Sequence, residues 1–148
     1  MMRARILIGA AMAAILFVIA WQWHGHRFWG HHGPHADHRD GPRGTLAEVA
    51  VPTLSPTASE GEKIFNQNCA VCHGKNAAGV DGAGPPLVHK IYEPSHHADM
   101  SFQLAVRQGV RQHHWRFGNM PAVPGVTETE TSKIVLYVRE LQRANGID

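Results

Sequence analysis

The chain has 148 residues, with 14 Lys and Arg, 12 Asp and Glu, 12 His and two cysteines. That length holds one ordinary domain plus accessory segments, and two cysteines inside one pentapeptide exclude a disulfide framework. The positive excess lies wholly before residue 57, since nine basic and nine acidic residues follow it; the folded part lacks the basic stripe that a nucleic-acid binder needs.

Ile6 to Trp23 is a run of 18 residues whose only polar side chain is Gln22. As a helix it spans roughly 27 Å, enough for a bilayer core. Arg3 and Arg5 precede the run, and no acid follows until Asp37. The positive-inside tendency then keeps the N-terminus in the cytoplasm and exports the rest. Trp21, Trp23 and Trp29 fit an interfacial aromatic belt. A cleaved signal peptide competes, with Val18-Ile19-Ala20 as the cleavage site. Against it, Trp21 would open the mature chain and no polar stretch separates the apolar run from the cut. The expectation is a retained transmembrane anchor over residues 1–23, single-pass in a bacterial inner membrane, with the remainder in the periplasm.

Residues 24–56 read as a flexible linker. His24, His26, His31, His32, His35 and His38 stand among Gly and Pro, with no periodicity that would bury an apolar face. His-rich tracts hold copper, nickel or zinc weakly; the preferred reading is a solvated spacer.

Residues 57–148 are left as the folding unit. About 90 residues is near the small end for an independent core, so a staple is expected. Thr57 is the expected cap of a first helix, with acids in its first turn. Ile64, Phe65 and Asn68 lie near one face and lead into Cys69. Gly61 is costly in a helix, and a close helix contact is a reason to have it.

Cys69-Ala70-Val71-Cys72-His73 carries the chemistry. Two thiols spaced by two residues can form thioethers with the haem vinyl groups, and the following His is brought under the iron. A thioredoxin-like redox pair would need a βαβ setting, and a zinc site would need further ligands from elsewhere. An exported chain with no other cysteine favours haem.

With Gly61, Phe65, the Cys-x-x-Cys-His motif and Tyr137 in place, residues 57–146 resemble the small monohaem class I cytochromes c. The resemblance implies an all-α fold of three to four short helices around one covalent haem c. It implies a Gly-x-x-x-Phe helix crossing the last helix at an aromatic contact, here Phe65 with Tyr137. In that family a Met thioether from a downstream loop fills the second axial position, and soft sulfur favours the ferrous state. Met120, in Phe117-Gly118-Asn119-Met120-Pro121, matches this pattern, whereas Met100 opens a helix expected from Ser101 to Gly109. His96, His97, His113 and His114 leave a bis-His site open. His113, His114, Trp115 and Arg116 are candidates to touch a haem propionate or a partner, Trp115 through its indole N–H. Gly84-Pro85-Pro86-Leu87 resembles the family's proximal turn. There the carbonyl at the position of Pro85 accepts the second N–H of the ligating imidazole, and Leu87 packs on the haem face.

The chain closes with a helix. Thr127 and Glu130 form a capping-box signature, Ile134, Val135, Val138 and Leu141 follow at helical spacing, and Asn145-Gly146 is a stop. The expected function is non-enzymatic electron transfer between redox partners of a respiratory chain, with His73 and Met120 on the iron. A haem-bearing relay subunit of a dehydrogenase, reductase or oxidase is the alternative. A gas-binding sensor is a further rival and would require a weak sixth ligand.

Overall fold

The computed structural model describes residues 44–148. The expected anchor, residues 1–23, and most of the expected linker, residues 24–56, lie outside the described residues. Among the described residues, no helix is long and apolar enough to cross a membrane. The described chain is all-α. Helix α1 is Pro56–Asn68, α2 Ala70–His73, α3 Asp99–Gln108 and α4 Glu128–Ala144. Short 3-10 turns stand at Lys75–Ala77 and Lys90–Tyr92, and pairing between extended segments is limited to three isolated bridges.

Helix α1 starts before the expected cap. Ser55, not Thr57, caps it: the Ser55 hydroxyl accepts from the Ala58 N–H at 3.2 Å, and Pro56 takes the first helical position. Proline suits that position, since it lacks the N–H that would go unbonded there and its φ is already helical. The acids expected in the first turn are therefore displaced beyond it. Ser55 is held in turn by α4, where the Glu140 carboxylate accepts from its N–H at 3.0 Å and its hydroxyl at 2.7 Å.

Part of the stretch expected as linker is bonded to the folded unit. The Leu46 and Ala47 N–H groups both donate to the Ala78 carbonyl, and the Asn145 side chain pairs with both backbone groups of Ala50. Val49 and Leu54 pack against the core. The described residues 44–148 form one compact unit.

The core is built where α1 meets α4. Ala58, Gly61 and Phe65 recur at helical spacing on the buried face of α1. They face Ile134, Tyr137, Val138 and Leu141, all buried. Gly61 explains how close the helices come: a β-carbon there would lie 2.0 Å from the Lys133 carbonyl oxygen. One turn on, the Phe65 and Tyr137 rings meet with centroids 5.5 Å apart, tilted by 58°, a favourable aromatic geometry. The Lys133–Glu60 ion pair crosses the same contact at 2.6 Å. It is solvated and adds little, so packing at Gly61 decides the crossing.

Helix α4 carries the expected capping box: the Thr127 hydroxyl accepts from the Glu130 N–H, and the Glu130 carboxylate accepts from the Thr127 N–H. It ends at Asn145 and Gly146 as expected. Its buried face also holds two polar residues that the hydrophobic pattern does not reveal. Arg139 is 6% exposed and Gln142 1%. Arg139 donates to the Tyr92 and His97 carbonyls, to Gln142 and to Asp99 on α3, and its guanidinium lies 5.0 Å from the centre of the Phe102 ring. Gln142 donates to the Leu87 and Tyr92 carbonyls. Two side chains thus organise the irregular segment 87–98.

Gly61→Ala should destabilise the haem-loaded protein by about 3 kcal/mol, because a backbone carbonyl must move to admit the methyl; the denaturant midpoint reads this directly. Arg139→Leu strips the donors from the His97 carbonyl and the Gln142 amide oxygen. At about 1–3 kcal/mol for each buried unpaired group, a loss of roughly 2–4 kcal/mol is expected in thermal or chemical unfolding. The exposed Asp99 carboxylate accounts for little of it.

Candidate functional site

The Cys-x-x-Cys-His segment begins as α1 ends. Cys69 terminates α1, its N–H donating to the Phe65 carbonyl at 2.8 Å, and Ala70–His73 then forms the one-turn helix α2. The His73 N–H donates to the Cys69 carbonyl at 2.9 Å. A separation of four residues places both side chains on one helical face, and both line a cavity of about 390 Å³. Cys72 is exposed and sits one residue before His73 on the same turn.

Burial raises the Cys69 thiol pKa to about 11, with a further contribution from Cys72. A reactive redox pair needs the opposite, a depressed thiol pKa in an electropositive setting. The thioredoxin-like alternative also lacks its βαβ frame among the described residues. A protonated, half-buried thiol at the rim of an apolar cavity fits one end of a thioether link.

His73 is oriented from behind. Its Nδ1 lies 2.9 Å from the Pro85 carbonyl oxygen, which makes Nδ1 the protonated nitrogen and leaves the Nε2 lone pair free. Burial lowers its pKa, and the Pro85 bond opposes this. The ring is therefore neutral at physiological pH, as a metal ligand must be. Gly84 permits the approach: a β-carbon there would stand 2.6 Å from the Cys72 carbonyl oxygen. The proximal turn inferred from Gly84-Pro85-Pro86-Leu87 thus has the expected contact, and Leu87 lines the cavity at 9% exposure.

Phe65, Tyr92, Phe102, Val106, Val110 and Ile134 supply the apolar walls. The far side comes from the loop after α3. Met120 lines the cavity, and its backbone pairs with Val110 through two hydrogen bonds of 2.9 and 3.0 Å. Met100 is 59% exposed and does not line it. Trp115 lines the cavity, stacks on Phe117 at 5.9 Å between centroids, and meets His89 edge-on. Its indole N–H is buried and has no hydrogen-bond partner. Such a donor is costly unless something accepts from it. Arg116 is exposed and outside the cavity lining.

The structure brings Cys69, His73, Pro85, Leu87, Trp115 and Met120 to one cavity. It adds Tyr92, Phe102 and Val110, which nothing local in the sequence marked. Tyr92 is recruited because Arg139 and Gln142 hold its carbonyl. His97, His113 and His114 also reach the lining, and with His96 they form a cluster. Burial lowers the His97 pKa against the pull of the Ile91 carbonyl, and neighbouring charges lower it further. His114 is lowered by desolvation and then by His113, His97 and His96.

The residues present fit a covalently attached haem. There are two thiols for the vinyl groups, a neutral imidazole with a free nitrogen, apolar walls and an unpaired buried donor suited to a carboxylate. Cavities of a few hundred Å³ suit cofactors. No curated protein and no solved structure matches the chain. The cytochrome c family model matches residues 58–142, which runs from the start of α1 through the buried Gln142. Covalent haem c and single-electron transfer go with that family. More than half of the sequence falls within the match, and the chain belongs to the cytochrome c family.

Proposed function

We propose that the chain is a membrane-tethered electron carrier of the bacterial periplasm, with His73 and Met120 as the two axial ligands of its haem iron. The carrying observation is that His73 and Met120 line the same cavity while Met100 is turned out of it. Haem c, when bound, supplies a one-electron couple at its iron, and a soft Met ligand raises its potential. Cys69 and Cys72 hold the ring, and the Pro85 carbonyl keeps the His73 Nε2 directed at the metal. The pairing of Met120 with Val110 fixes the distal loop from its backbone. A haem iron held by both His73 and Met120 would have no open position for a substrate, which separates a carrier from a catalyst. The apolar walls exclude water and keep reorganisation small. The Trp115 N–H would be available to donate to a propionate carboxylate of a bound haem.

The tether rests on Ile6 to Trp23 and the two arginines before it. A domain on such a tether searches a small volume, which suits local transfer between respiratory complexes at the membrane surface.

In the Met120→Ala holoprotein, the near-infrared band of Met-ligated ferric haem should vanish and the potential should drop. The ferrous form should gain rapid carbon monoxide binding that the parent lacks. An unaltered spectrum and potential would move the sixth ligand elsewhere, with the nearby histidines first in line. Trp115→Phe should raise the propionate pKa by about one unit, the worth of a charge-assisted hydrogen bond. In redox titrations across pH, the fall in potential that accompanies propionate ionisation should move upward by that amount. The near-infrared band should stay, and an unshifted profile would remove Trp115 from the propionate.

A further inference from the structure

Four imidazoles collect beside the cavity, from two segments far apart in sequence. His96 and His97 precede α3, and His113 and His114 follow it. One ligand-capable atom from each of His96, His97 and His114 lies within 4.8 Å of the others. The His96 Nε2 and His114 Nε2 are 3.3 Å apart. Two imidazole nitrogens on a tetrahedral zinc ion, each at about 2.0–2.1 Å, are separated by roughly 3.3 Å. The pair already stands at the edge length of such a site, and both rings are exposed enough to turn toward a shared ion.

The third ring is set from behind, as ligating histidines are. The His97 Nδ1 bonds to the Ile91 carbonyl at 2.6 Å, so Nδ1 carries the proton and Nε2 keeps its lone pair. His113 shows the same arrangement, its Nδ1 lying 2.9 Å from the Arg111 carbonyl oxygen, and its ring centroid is 4.4 Å from that of His114. It stands beside the other rings without joining the three whose ligand atoms converge. The His97 carbonyl is itself tied to the buried Arg139. The site therefore has one rigid ligand and two mobile ones.

We propose that His96, His97 and His114 bind one divalent transition-metal ion, Cu2+ or Zn2+, joining the segment before α3 to the loop that carries Trp115 and Met120. An all-imidazole donor set suits these ions, and copper(II) stands highest in the divalent affinity order. The ion would bridge two segments that each contribute to the haem cavity. The proposal rests on the reading that Met120, and none of these rings, is held by the haem iron.

The His-rich N-terminal stretch would mask this site in a simple titration. The test therefore uses the full-length holoprotein with His24, His26, His31, His32, His35 and His38 all changed to Asn. Cu2+ is added, with binding followed by calorimetry and by electron paramagnetic resonance. One ion should bind, with nitrogen splitting from several imidazoles, and Zn2+ should compete for it. Adding His96→Asn, at a ring outside the cavity lining, should weaken binding at least 10-fold while leaving the metal-free haem spectrum unchanged, and adding His114→Asn to it should bring the loss to at least 100-fold. Equal binding with and without those two changes would overturn the proposal. In the His96→Asn variant, an altered haem spectrum before metal is added would also overturn it, since it would put that ring on the haem iron. The single variant His114→Gln, at an exposed position, guards against misfolding. It should cost at least 10-fold in affinity, and undiminished binding would again overturn the site.

Discussion

The Lys133 carbonyl occupies the space that a side chain at position 61 would need. That contact brings α1 and α4 together at backbone distance and sets where α1 ends. The consequences run outward along the chain. Phe65 meets Tyr137 one turn later, and the helix then delivers Cys69 to the cavity rim. The short helix α2 continues from there and turns His73 inward. Cys69 and His73 both line the cavity, with Cys72 exposed beside them on the same turn. Their placement depends on how closely two helices are allowed to pack.

The rest of the cavity is made of irregular chain, and irregular chain must find partners for its backbone groups. Helix α4 provides them from its buried face. Arg139 and Gln142 satisfy carbonyls of Leu87, Tyr92 and His97. A buried guanidinium is tolerated because its donors meet several acceptors and Phe102 covers its face. The same helix therefore does two jobs. Its apolar residues make the core with α1, and its polar residues shape the wall that faces the haem.

The segment 87–98 and the loop 109–121 lie on opposite flanks of α3, and both bring histidines to one place. The lowered pKa of His97 and of His114 follows from desolvation and from their neighbours. Keeping those two rings neutral leaves no charge on them beside the haem cavity. It also leaves ring nitrogens with lone pairs at the surface, which is the chemical basis for an ion binding there.

The sequence by itself determined the cofactor chemistry, because Cys-x-x-Cys-His is contiguous and its function depends on spacing along one helical turn. It determined α4 equally well, since a capping box, a 3.6-residue apolar period and a Gly stop are all local signals. The bond from His73 to Pro85 was legible through the resemblance of a short turn. The start of α1 departs from the expectation of Thr57 as cap, because Ser55 takes that place. Ser55 is favoured by Pro56 next to it and by Glu140, which lies 85 residues away. Met120, expected from the resemblance, lines the cavity, but only the tertiary structure decided how Arg139 and Gln142 are buried and that His96 meets His114. Each of these turns on contacts between segments distant along the chain, where the periodicity of any one segment carries no information.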